Sequence, residues 1–147
     1  MTLYHVTQSL LAPGSVILPG NFGRILALYR MSDVNALFYR ERILEEIRQA
    51  GFPEKPRRLS SAFCLEAIQE AQYFRDQVAG RLHVIYQVEL VDPNCRQHRG
   101  DYNKVAPPSS ALASLMENAA REYWQGAVIE HAEIVAESAL RVVQYVG

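Results

Sequence analysis

The chain has 147 residues, 49% of them hydrophobic, which is enough for one compact core and short for two, so a single domain over residues 1–147 is expected. With 15 basic and 16 acidic side chains the formal net charge is -1, which excludes a global field favouring nucleic acid or an acidic membrane surface; a polyanion would need a local patch. Cys64 and Cys95 have no CxxC spacing, which excludes a zinc ribbon or disulfide framework. They make a reducing, cytoplasmic compartment the default, and no segment approaches the roughly 20 apolar residues of a bilayer span. The initial Met and the lack of a signal-like start make a complete, unsecreted chain the expectation.

The opening LYHVT is built of strand formers and predicts a strand at 3–7. In LLAPGSVILPGNFGR, two Pro-Gly pairs and Asn21 punctuate short apolar runs, which predicts a loop with one brief strand at 15–18. Ser32 precedes DVNALFYRERILEEIRQAG, where Leu37, Ile43, Leu44 and Ile47 recur at helical spacing and Gly51 with Pro53 supplies the stop. A helix over about 33–50 follows. KPRRLSSAF reads as a basic loop entering a short strand at 59–63. CLEAIQEAQYFRDQVAG then predicts a helix ending at Gly80, with Leu65, Ile68, Ala71, Tyr73 or Phe74, and Val78 on one side.

LHVIYQVEL alternates Leu82, Val84, Tyr86, Val88 and Leu90 with polar residues, the clearest strand pattern in the chain, and Asp92-Pro93-Asn94 turns it off. Residues 95–108, with HRGDYN at their centre, are polar and aperiodic and predict a long loop of the kind that often carries function. Ser109 or Ser110 caps an amphipathic helix containing Leu112, Leu115, Met116, Ala119 and Tyr123 and ending at Gly126. HAEIVAE and LRVVQYV are two final strand segments, joined around Ser138. Strands and helices do not alternate regularly and GNFGR lacks the GxGxxG context. The expected class is therefore mixed α+β and not a doubly wound nucleotide fold.

Three clusters carry chemistry. By strand alternation, His5 and Thr7 offer an imidazole and a hydroxyl on one face, although a lone strand histidine is more often a packed core residue. Ser60 and Ser61 stand just before a helix, where hydroxyls cap or hold a ligand, and Phe63, Tyr73 and Phe74 serve as core or as a stacking wall for a flat ring. Near the C-terminus, Glu130 and Glu137 fall at expected turns and read as solvated. Glu133 sits between Ala132 and Ile134, where a charge needs a partner, a use, or an edge strand that exposes it. No metal-ligand spacing appears among the four histidines, and Cys64 reads as a small buried thiol.

In this order the clusters resemble the signature regions of the ADP-ribosyltransferase superfamily. LYHVT resembles the first-strand H-x-T of its histidine-type branch, RLSSAFCLEAIQEAQYF the strand–helix region with small hydroxyls and a stacking aromatic, and AEIVAESALRVV the late strand with the catalytic glutamate. The resemblance implies a split β-sheet with flanking helices and NAD as substrate. His5 would bond the adenosine-side ribose, the backbone around Val6 the nicotinamide amide, and Thr7, Ser60 and Ser61 would line the cofactor site. Phe63, Tyr73 or Phe74 would stack on nicotinamide. Glu133 would be catalytic, bonding the nicotinamide ribose and stabilising the oxocarbenium-like charge as the glycosidic bond breaks. Val6 replaces the glycine common after the histidine, and His131 stands where arginine-modifying toxins carry Glu or Gln. The implied acceptor is then a nucleic acid, a small molecule, another protein side chain or water. Arg121, Tyr123 and Trp124 of REYWQG are further candidates for a wall near the site.

Other readings stand beside this one. An RNA 2'-phosphotransferase of the same general fold would use arginines such as Arg57, Arg58, Arg96 and Arg99 on an internal phosphate. A non-catalytic binding domain would keep the fold without the chemistry. A toxin or effector would be paired with an immunity protein acting as antitoxin. None of these involves a membrane.

Overall fold

A computed structural model describes residues 1–29, 36–105, 113–126 and 129–147. The expected helix start at 33–35 with its Ser32, the end of the loop at 106–108, and the caps at Ser109 or Ser110 with Leu112 lie outside the described residues.

Among the described residues seven strands form two antiparallel sheets. The first has the order β1-β4-β7-β2, from β1 (Leu3–Thr7), β4 (Val84–Leu90), β7 (Leu140–Tyr145) and β2 (Val16–Ile17). The second has the order β3-β6-β5, from β3 (Ala62–Cys64), β6 (Ala132–Ala136) and β5 (Gln97–Asp101). One bridge joins them at their edges, where Tyr4 and Leu65 exchange both backbone hydrogen bonds at 2.8 Å. The helices among the described residues, α1 (Asn21–Tyr29), α2 (Ala36–Gly51), α3 (Ile68–Phe74) and α4 (Ala113–Gln125), flank the sheets. The class is α+β. Among the described residues no helix is long and apolar enough to cross a membrane.

Alternation along the strands divides the interior. Leu3, Cys64, Tyr86, Val88, Ile134 and Leu140 fill the space between the sheets. Leu44, Ala120, Tyr123, Trp124 and Val135 seal α2 and α4 onto the opposite face of β6. The other face of β1 and β4 carries Tyr4, Val6 and Ile85, packed against Leu65, Ala71, Phe74 and Tyr102. Each strand of the seam is thus committed on both faces, which fixes its register.

Three expectations are revised. The loop expected through GNFGR is the helix α1. Gly20, at φ +90°, makes the turn that enters it, and Asn21 holds Arg24 through two side-chain hydrogen bonds of 2.9 and 3.1 Å. The long loop expected at 95–108 contains β5, followed by a 3-10 turn at Tyr102–Val105. Its inward positions are His98 and Gly100, which sit against the Tyr123 ring, so no apolar alternation marks it. The expected helix ending at Gly80 is α3 followed by a π-turn at Arg75–Ala79.

Candidate functional site

β1 is an edge strand of its sheet, and its backbone is only half used. The bridge at Tyr4 shows that this residue points its N–H and C=O away from β4. In an antiparallel ladder the same holds two residues on, at Val6. The Val6 peptide donor and acceptor therefore face the open edge beyond the bridge, with no partner among the described residues. Beside them His5 donates from Nδ1 to the carbonyl of Phe63 at 2.8 Å. Since a carbonyl only accepts, the proton is on Nδ1 and Nε2 carries a lone pair. Burial pushes the His5 pKa down, against the opposing bond to Phe63, so the neutral form is favoured.

The other residues of the first two clusters have more ordinary duties. Thr7 Oγ1 accepts a 3.3 Å bond from the Ser9 N–H. Buried Ser61 closes the 3-10 turn at Arg58–Ser60 by donating to the Arg57 carbonyl at 2.6 Å, while Ser60 is exposed. Phe63 meets Phe22 edge-on and lies under the Arg58 guanidinium. Phe74 packs edge-on against Tyr102. Tyr73, 39% exposed, stacks on His131 with ring centroids 4.3 Å apart and planes 9° from parallel.

Glu133 lies in the middle strand of its sheet, which excludes the edge-strand account of its charge. It is 6% exposed and shares its face of β6 with Val135, toward α2 and α4. Arg58 Nη1 donates to Glu133 Oε1 at 2.5 Å, and the Tyr123 hydroxyl donates to the same oxygen at 2.7 Å. Arg58 also grips Glu41 through Nε and Nη2, at 2.9 and 3.1 Å, and Arg40 reaches Glu41 at 2.7 Å. Two cations and two carboxylates balance in this enclosure, as buried charges require. Burial alone would neutralise them. For Arg58 the charges of Glu41 and Glu133 and the hydrogen bonds to Glu41 outweigh it and hold the guanidinium pKa well above normal. For Glu41 the charge and hydrogen bonds of Arg58, then those of Arg40, outweigh burial and bring its pKa below normal. Burial drives Tyr123 far up, so its hydroxyl keeps its proton.

His5 and Glu133 are not brought together. Glu133 points to the helical face of β6, whereas His5 shares the face of β1 with Leu3, toward the space between the sheets. Of the arginines considered for phosphate, Arg58 is buried in this network. Arg57 and Arg96 lie 3.5 and 3.3 Å from Glu45 and Glu137, and Arg99 lies 2.7 Å from Glu66. Arg121 pairs with Glu117 at 3.8 Å, and the Trp124 indole is buried, donating to the Leu44 carbonyl at 2.9 Å. Glu130 is exposed, whereas Glu137 accepts from the Arg57 N–H at 2.9 Å. Cys64 is buried, its pKa pushed up to about 12 by burial and by nearby Cys95. Among the described residues no three His, Cys, Asp or Glu side chains are grouped as a metal ion needs.

Glu41 and Glu70 were not singled out from sequence. Glu41 had a signal, because it stands at helical spacing between Leu37 and Leu44 on the apolar side of the helix, where a charge needs a partner. Glu70 had none, being one polar residue among several on α3. No curated protein matches the chain. The model of the family described as protein of unknown function (DUF2441) matches residues 20–146, from the entry to α1 through β7, and the chain belongs to that family.

Proposed function

We propose that the protein is an NAD-consuming enzyme of the ADP-ribosyltransferase type, which breaks the nicotinamide–ribose bond and passes ADP-ribose to an acceptor. The observation that carries this reading is the free peptide pair of Val6, set beside the His5 imidazole and the β3–α3 segment. A carboxamide presents a donor and an acceptor side by side, and one residue of an open strand edge satisfies both. His5 Nε2 is then the acceptor for a ribose hydroxyl, and the α3 aromatics supply the ring contact. The split arrangement of two antiparallel sheets agrees with the expected architecture, and the three segments implied by the resemblance are neighbours. β1 meets β3 through His5–Phe63 and the residue after β3 through Tyr4–Leu65, and β3 pairs with β6 at Phe63–Val135 and Cys64–Ile134.

One observation favours a second reading, a binding domain of the same fold without catalysis: Glu133, the carboxylate the chemistry would use, is sealed against Arg58 and Tyr123. Nicotinamide release from NAD, measured for the native chain and for Glu133→Gln together with NAD binding and thermal unfolding, separates the two. Release lost in a folded variant that still binds NAD supports the enzyme with Glu133 at its centre. NAD binding without release by the native chain supports the binding domain. No binding by the native chain overturns both.

A further inference from the structure

A second group of titratable side chains lies outside the Arg58–Glu133 enclosure and close to the surface. His131 immediately precedes β6. Its Nδ1 lies 2.8 Å from Glu70 Oε1, and the Tyr102 hydroxyl donates to the same oxygen at 2.5 Å. Tyr73, one turn along α3 from Glu70, covers one face of the imidazole. The backbone is fixed as well, since the Tyr102 N–H donates to the His131 carbonyl at 3.1 Å. The imidazole is thus held by a carboxylate at one nitrogen, by a ring on its face and by its own peptide. Its Nε2 has no partner among the described residues.

A carboxylate on Nδ1 fixes the tautomer that leaves Nε2 as a proton acceptor, the arrangement that makes a histidine a general base. The group adjoins β1, because Tyr102, whose hydroxyl ends at Glu70, belongs to the buried cluster against which Tyr4 and Val6 pack. Resting on the NAD reading above, we infer that His131 is the base that activates the acceptor, and that the acceptor is an oxygen nucleophile, a hydroxyl or water. In the step, the nicotinamide C–N bond breaks and its electron pair neutralises the pyridinium nitrogen. A lone pair of the acceptor oxygen forms the new bond to the ribose carbon, and the O–H proton passes to His131 Nε2 and then to solvent. Glu70 touches no reacting atom and is a positioning residue. The titratable groups facing His131 are Glu70 and Tyr73 from α3 and Tyr102 from the turn after β5. Asp101 nearby is engaged by the N–H groups of Glu130 and Asn103.

The test uses the full chain with NAD in water and in water containing methanol, following nicotinamide, ADP-ribose and methyl-ADP-ribose across pH. Nitrogen NMR of the imidazoles reads the His131 tautomer independently of turnover. The expected results are a proton on Nδ1 of His131, a turnover loss of about 100-fold or more in His131→Gln, and disappearance of the acid limb of the pH profile. Glu70→Gln redistributes the tautomer and Glu70→Asp restores part of the rate. A methanol adduct that grows in proportion to methanol marks hydroxyl acceptors, and ADP-ribose alone marks water. Turnover that survives His131→Gln with an unchanged pH profile overturns the inference while leaving the NAD reading intact. A proton on Nε2 of His131 overturns it as well, and a native chain that releases no nicotinamide in either solvent overturns both.

Discussion

Gly100 and Tyr123 occupy each other's space. A Cβ at position 100 would stand 2.4 Å from the Tyr123 ring, and that ring holds its hydroxyl between Arg58 and Glu133. Gly100→Ala is expected to destabilise the fold by about 1–3 kcal/mol, the usual scale of forced overpacking, measured by urea unfolding. The sequence shows Glu133 as a charge in an apolar strand but does not show its answer, because Arg58 is distant in the chain and sits among other basic residues of a loop-like segment. His5 is legible as a site candidate from its position alone. What the sequence withholds is the acceptor on Phe63 that selects its tautomer, since that bond exists only once β1 and β3 lie side by side.

At the level of elements, the legible ones have a one-sided apolar pattern. β4 alternates and α2 recurs at helical spacing, and both appear as expected apart from shifts at their ends. α1 and β5 were obscured for opposite reasons. In α1 the glycines look like loop punctuation, yet Gly23 is there because the helix touches the backbone at Leu59: a Cβ would stand 2.2 Å from that carbonyl oxygen. Alanine is the better helix former by about 1 kcal/mol, so propensity alone predicts that Gly23→Ala stabilises α1. The contact predicts the reverse, a lowered Tm with amide exchange quickened first in α1, because a backbone oxygen cannot swing aside. In β5 the inward side chains are an imidazole and a hydrogen atom, which no hydrophobic pattern detects.

The whole molecule stores its pH dependence in groups that fold into the less protonated form. Burial lowers the pKa of His5 and His98 below the ordinary 6.5, with backbone hydrogen bonds opposing, and the Arg58 and Arg40 partnership carries Glu41 below 4.5. A depressed folded-state value means that the unfolded chain binds more protons, so stability rises with pH. The histidine contribution is present above 6.5 and is lost as pH falls through the lowered folded values; that of Glu41 is lost further down, below 4.5. Thermal unfolding followed by circular dichroism should therefore give a Tm that falls from pH 7 toward 5 and again below 4.5, with the first decline shallower in His98→Asn. The α+β class and the order of most elements could be read in advance, whereas the arrangement of the strands could not, because it depends on pairings between distant segments. β7 illustrates this, standing between β4 and β2 although it follows every other strand in the chain. β2 therefore has no ladder to join until β7 is in place on β4, which makes the outer half of the first sheet depend on contacts between the two ends of the chain.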